Sequence, residues 1–157
     1  MGSVKDLQIE KAAGAEECGV GIFSFSDRYS VFDWGEMPDL IPGKGQSLAL
    51  MGAYNFELFE ERGLNTHYLG LLEDGEHKNI GDLNEPSSEM AVRLAPKPKI
   101  NYEEKKGYVY EDLREKDLYL VPLEIVFRNG IPQGSSIRRR YSPEDLGLDF
   151  EKWPEEM

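Results

Sequence analysis

Apolar and polar positions alternate over two stretches near the start of the chain, 4–9 and 20–25, the second carried by Val20, Ile22, Phe23 and Phe25. A period of two marks a half-buried strand, and the small and acidic residues from Lys11 to Gly19 supply a turn, so the pattern predicts a β-hairpin. From Pro42 the pattern changes. Pro42-Gly43-Lys44-Gly45 is a turn, and 46–62 consists of good helix formers closed by Gly63 just past the C-cap. Leu48, Met51, Leu58 and Phe59 fall on one helical face, which is expected to pack on a sheet. Further strands are expected at 66–72, 89–94, 108–111 and 119–128, with Pro122 marking the last as an edge strand or a bulge. The polar stretches 73–88 and 95–107 read as loops. Ser142-Pro143-Glu144-Asp145 offers an N-cap, a proline at the first helical position and acids in the first turn, so a helix is expected to begin there. The fold class is α+β: a mainly antiparallel β-sheet with one packed helix.

Composition narrows the function. The 157 residues are 39% hydrophobic and 31% charged, enough for one domain with a real core. A net charge of −12 excludes a sequence-independent nucleic-acid binder, because such binding is phosphate neutralisation by Lys and Arg, yet it leaves room for a basic pocket that holds a small phosphate. The single cysteine, Cys18, excludes an intrachain disulfide and a Cys-based zinc site; flanked by Glu16 and Glu17, it has no activating neighbour. His67 and His77 lack metal-ligand spacing, and no metal ligands are assigned. No apolar run approaches the roughly 18 to 20 residues of a membrane span. The expectation is a soluble, cytoplasmic protein with neither nucleic acid nor membrane as partner.

Three polar, glycine-bearing stretches stand at strand ends. In Gly2-Ser3-Val4-Lys5-Asp6, glycine allows backbone N–H groups to approach a phosphate and Lys5 adds a charge; an ordinary solvent-facing lysine is the alternative. The second stretch runs from Ser26 through Asp27, Arg28, Ser30 and Asp33 to Trp34, ahead of Lys44 between two glycines. It fits an amine, a metal or a phosphate ester, or else a turn in which Asp27 and Ser30 bond the backbone. In the third, Glu124 and Arg128 share one face of a strand, and Gly134-Ser135 precedes Arg138-Arg139-Arg140. Four arginines within 13 residues of an acidic chain make a local positive site, where Arg128 and Ser135 could hold a phosphate monoester; the alternative is a basic surface cluster paired with the acidic segment from Glu144 onward. No P-loop or dinucleotide-binding glycine pattern occurs.

Leu-Val-Pro-Leu-Glu-Ile-Val-Phe-Arg-Asn at 120–129, followed by Gly134-Ser135, resembles a motif of the SAICAR synthetase family of purine biosynthesis. In the same order, Gly2 to Asp6 resembles the family's Gly-Lys-x-Lys/Arg-Asp, and Asp27 to Asp33 resembles its Asp-Arg-Ile-Ser-Ala-Phe-Asp. Pro42 to Gly45 and Gly63 to His67 also match in place. The resemblance implies a first lobe like a protein-kinase N-lobe, with ATP between two lobes and Mg²⁺ on its phosphates. The reaction it implies is ATP-dependent joining of L-aspartate to carboxyaminoimidazole ribonucleotide, releasing ADP and phosphate. It places Gly2, Ser3, Val4 and Lys5 at ATP, Arg128 and Ser135 at the ribonucleotide, and Ser30, Asp33, Lys44 and Glu124 near the site.

Two departures stand out: Ser3 replaces a family lysine, and the spacing from Arg128 to Gly134 is one residue longer. The Asp-x-Lys-x-Glu-Phe-Gly and Asp-Glu-x-x-Pro-Asp stretches of the family's C-terminal half do not occur in 136–157. The chain is therefore expected to be an N-terminal part of such an enzyme, with residues 1–141 as the β-rich lobe, 142–157 as the acidic start of a missing or separate C-terminal part, and a second copy or a complementary C-terminal half as partner. The alternative is a catalytically inactive nucleotide-binding or regulatory module on the same scaffold.

Overall fold

The computed structural model describes residues 4–31, 34–123, 125, 130–149 and 152–154. Its contacts divide the chain into two units, Met1–Pro122 and Leu123–Met157.

The first unit holds the core. Strands β1 (Lys5–Lys11) and β2 (Gly19–Phe25) form the expected antiparallel hairpin, with Leu7 opposite Phe23 and Lys5 opposite Phe25. After the two-residue strands β3 (Ser30–Val31) and β4 (Gly35–Glu36) comes helix α1 (Lys44–Glu61). Gly63, at φ 79°, follows its C-cap Arg62 as expected. Strands β5 (Tyr68–Glu73), β6 (Glu76–Lys78) and β7 (Glu89–Leu94) complete an antiparallel five-stranded sheet of order β1-β2-β7-β5-β6. A separate hairpin pairs β8 (Ile100–Glu103) with β9 (Gly107–Tyr110). Together with α1 this is an α+β arrangement with a mainly antiparallel sheet and one main helix.

The helix packs through a different stripe from the expected one. Met51 is 64% exposed and Phe59 41% exposed, whereas Gly45, Ala49 and Ala53, four apart, are buried. Small side chains at this spacing bring the helix axis close to the sheet, so the contact is made by backbone proximity and not by the bulkier apolar face. A Cβ on Gly45 would lie 2.5 Å from the Phe25 carbonyl oxygen. Ala49 and Ala53 meet Tyr68, Leu71, Met90 and Val92, with Phe23, Phe25, Leu50 and Phe56 around them.

Three further expectations change. The 73–88 stretch contains β6, entered through Asp74 (φ 54°) and Gly75 (φ 81°), the two-residue Asp-Gly turn that suits the twist of a hairpin. Glu73 ties this region together: its carboxylate takes Lys78 Nζ, the backbone N–H groups of Asn84 and Glu85 at 2.9 Å, and Asn84 Nδ2 at 2.9 Å. The 95–107 stretch likewise contains β8. In 119–128, residues 119–123 and Ile125 are not in a strand, and Leu120 (52%), Leu123 (70%) and Ile125 (86%) are exposed; the other residues of that stretch lie outside the described ones. Pro122 supplies no ladder donor, and no neighbouring strand pairs with the described residues there.

The second unit contains α2 (Ser136–Arg140) and a 3₁₀ turn, Glu144–Leu146, where a longer helix start was expected. Ser142 and Asp145 do cap each other: Asp145 Oδ2 accepts from Ser142 N–H and Oγ, both at 2.7 Å, and Ser142 Oγ accepts from Asp145 N–H at 3.2 Å. Gly147, at φ 66°, then ends the turn.

Candidate functional site

Helix α1 begins at a glycine that carries no side-chain cap, leaving its first N–H groups without an intrahelical acceptor. Asp27, from the loop after β2, fills that role. Its carboxylate accepts from Gly43 N–H at 3.2 Å and from Gly45 N–H at 2.8 Å. A carboxylate here is favoured by the positive end of the helix dipole. Lys44 returns the contact, donating from Nζ to the Ser26 carbonyl at 3.1 Å and the Arg28 carbonyl at 2.7 Å. Arg28 in turn bonds Asp6 on β1 at 2.7 Å and approaches Glu36 on β4 at 3.9 Å. These contacts hold the second polar stretch, the start of α1 and the edge strand as one polar clamp beside a cleft of about 540 Å³, lined by Phe25, Ser26, Asp27, Arg28, Gly43 and Gln46 among others.

The turn reading of that stretch is thus realised at Asp27. Ser30 stands on β3. Lys44 stands within the clamp with its ammonium on two carbonyls. Lys5 is on the same sheet face as Phe23, Phe25 and α1, since residues directly opposite in an antiparallel pair share a face. Its ammonium lies 3.8 Å from the Phe23 ring centroid, and partial desolvation there lowers its pKa. No carboxylate among the described residues pairs with it. Val4 accepts from Ser26 N–H at 2.8 Å and Ser26 Oγ at 3.1 Å, which ties the entry of β1 to the clamp.

In the second unit Ser135 is 5% exposed and caps α2, its Oγ accepting from Ile137 N–H at 3.3 Å. The three arginines occupy the last turn of this helix, where cations meet the free carbonyls. With Tyr141, Ser142, Pro143, Lys152 and Trp153 they line a shallow cavity of about 460 Å³. Arg138 Nε donates to Ile131 O at 2.8 Å and Nη1 to Pro154 O at 2.5 Å, and its guanidinium lies 5.5 Å from the Trp153 ring centroid. No pairing of these arginines with acids occurs among the described residues. Gly2, Ser3, Asp33, Glu124 and Arg128 lie outside the described residues. Nor do three His, Cys, Asp or Glu side chains converge as a metal-ligand group among the described ones.

Two features escaped the sequence reading. Asp27 as the cap of a helix that starts 17 positions later carries no local signal, although an Asp upstream of an uncapped Pro-Gly-Lys-Gly helix start is a hint. The contribution of Lys152 and Trp153 to the arginine cavity is a product of chain folding.

Residues 13–152 match the model of the family described as SAICAR synthetase. The chain belongs to that family. A relative from Archaeoglobus fulgidus, provisionally named phosphoribosylaminoimidazole-succinocarboxamide synthase, is 48% identical over 155 residues, covering 94% of this chain and 45% of its own length. A synthase of the same name from Methanoculleus marisnigri is 41% identical over 130 residues (83% of this chain, 38% of its own), and one from Thermoplasma volcanium is 40% identical over 53 residues (34% and 18%). The chain thus spans less than half the length of these relatives. No solved structure matches it. The SAICAR synthetase match covers α1, the whole clamp except β1, and the arginine cavity except Trp153. No described helix is long and apolar enough to cross a membrane.

Proposed function

We propose that this chain is the N-terminal part of a cytoplasmic, ATP-dependent ligase of purine biosynthesis that joins L-aspartate to carboxyaminoimidazole ribonucleotide. The observation that carries the reading is 48% identity over nearly the whole chain to a relative named for that synthase. In the proposed reaction ATP phosphorylates the substrate carboxylate, the aspartate amine displaces phosphate, and ADP and phosphate leave. The expectation of a kinase-like first lobe belongs to this reading, as does the division into 1–141 and 142–157. So does a second copy or a complementary C-terminal half as partner.

Each residue has a proposed task. Lys5 fits an ATP phosphate: its ammonium has no described carboxylate partner and would turn from the Phe23 ring to the phosphate, beside the backbone of Gly2, Ser3 and Val4. Arg128 and Ser135 would hold the ribonucleotide phosphate. Ser135 fits such a task as a buried hydroxyl at a helix cap. Lys44 would act through the clamp, orienting the loop that leads to Ser30 and Asp33, and Glu124 stands near Arg128 in sequence. Magnesium is a different matter. It needs one or two carboxylates besides phosphate oxygens. The described carboxylates nearest the cleft are committed, Asp27 to helix N–H groups and Asp6 to Arg28. They do not fit the ion.

Titration calorimetry with MgATP and with the ribonucleotide, on the wild-type chain and on Arg128→Ala, tests the proposal. Wild type should bind both, and the variant should lose about 2 to 5 kcal/mol of ribonucleotide binding, the cost of removing one partner of a desolvated charge pair. Absence of heat with both ligands, or equal ribonucleotide affinity in the variant, contradicts it.

A further inference from the structure

We propose that the cavity at the end of α2 is a binding site for a small phosphate-type dianion or polyanion, held by Arg139, Arg140 and Lys152 and distinct from the ribonucleotide contacts assigned to Arg128 and Ser135. Four cationic side chains line its roughly 460 Å³, and no carboxylate among the described residues does. This is unexpected in a chain of net charge −12, where carboxylates outnumber cations and elsewhere engage them: Arg28 with Asp6, Lys78 with Glu73, Arg114 with Asp112, Lys116 with Glu111.

One acid close to the cluster in sequence is already occupied. Asp145 accepts two hydrogen bonds from Ser142, which hold its pKa below the usual carboxylate range. Arg138 is fixed by two carbonyls and stacked near Trp153, and its remaining terminal nitrogen is buried without a hydrogen-bond partner among the described residues. A buried guanidinium nitrogen left unsatisfied is costly, and its uncompensated charge raises the potential of the adjacent cavity. Arg139 and Arg140 are exposed on that rim, and Lys152 adds a third accessible charge. Guanidinium forks match the oxygen spacing of phosphate, and several converging cations favour a ligand with two or more charges. The overall negative charge of the chain repels an extended polyanion such as nucleic acid and so selects a compact one.

The test uses the Trp34→Phe chain, in which Trp153 is the single tryptophan and reports on the cavity. Pyrophosphate, inorganic phosphate and succinate are titrated by fluorescence, and by calorimetry in parallel. Saturable binding of pyrophosphate, tighter than phosphate and much tighter than succinate, is expected. It should weaken at least about tenfold in Arg139→Ala/Arg140→Ala and stay unchanged in Arg128→Ala. Because Arg139 and Arg140 are exposed, that variant is expected to keep the wild-type circular dichroism and melting. The proposal is overturned if neither method detects saturable pyrophosphate binding, if the double variant binds as wild type does, or if Arg128→Ala abolishes binding. Retained pyrophosphate binding alongside absent ribonucleotide binding would sink the ligase reading alone.

Discussion

Arg28 and Arg139 belong to the same acidic chain, yet their surroundings differ. Arg28 bonds Asp6 at 2.7 Å inside a clamp that also engages Asp27 and Lys44, whereas Arg139 stands exposed on a cavity rim with no carboxylate partner among the described residues. The first unit has a buried core, and its polar groups are drawn into fixing where strands and helix meet. The second is small, has no described residue in the main core cluster, and leaves Arg139, Arg140 and Lys152 exposed to solvent. A cation engaged by structure is a poor ligand contact, because a ligand must compete with the bond already made; a preorganised free one is ready.

The largest effect should come from the closest approach in the clamp. Gly45→Val places a branched side chain where even a Cβ lies 2.5 Å from the Phe25 carbonyl oxygen, and should destabilise the fold by roughly 3 kcal/mol in urea unfolding. A neutral result would mean that α1 does not pack as closely as its small-residue stripe indicates. Next is Asp27→Ala, which strips two N–H groups of their acceptor and should cost about 1 to 2 kcal/mol, while leaving pyrophosphate binding at the arginine cavity intact. Loss of that binding would erase the contrast between the two regions.

A smaller effect is expected with pH. The Glu73 carboxyl is held down to about 2 from an ordinary 4.5, first by the hydrogen bond from Lys78 and then by backbone N–H groups. A depressed folded-state pKa stabilises the fold above the unfolded value and ceases to do so as pH falls through the folded one. Stability should therefore decline between about pH 4.5 and 2, and Glu73→Gln should flatten that part of the profile. An unchanged slope in the variant would assign the acid sensitivity to other carboxylates.

These sites also show what a one-dimensional pattern can carry. The β1–β2 hairpin and the strand at 89–94 are legible because period-two alternation and a turn are local. The extent of α1 is legible as well, from Pro42-Gly43 to Gly63. Its packing face is not: Leu48, Met51, Leu58 and Phe59 make the more apolar stripe, but Gly45, Ala49 and Ala53 allow closer approach, and only the neighbouring sheet decides between them. The Asp74-Gly75 turn was a readable signal for β6 hidden in a polar stretch. At the candidate site, residue types and motif order identified the family. Sequence could not show that Lys44 bonds two carbonyls, because those partners are set by folding.

Arginine reactivity toward phenylglyoxal, mapped by mass spectrometry with and without pyrophosphate, compares the two regions in one experiment. The account predicts that Arg139 and Arg140 react fastest and are shielded by pyrophosphate, while Arg28 and Arg93, bonded to Asp6 and to the Thr66 and Tyr68 carbonyls, react slowly and equally in both conditions. Rapid modification of Arg28 together with unshielded Arg139 and Arg140 would contradict it.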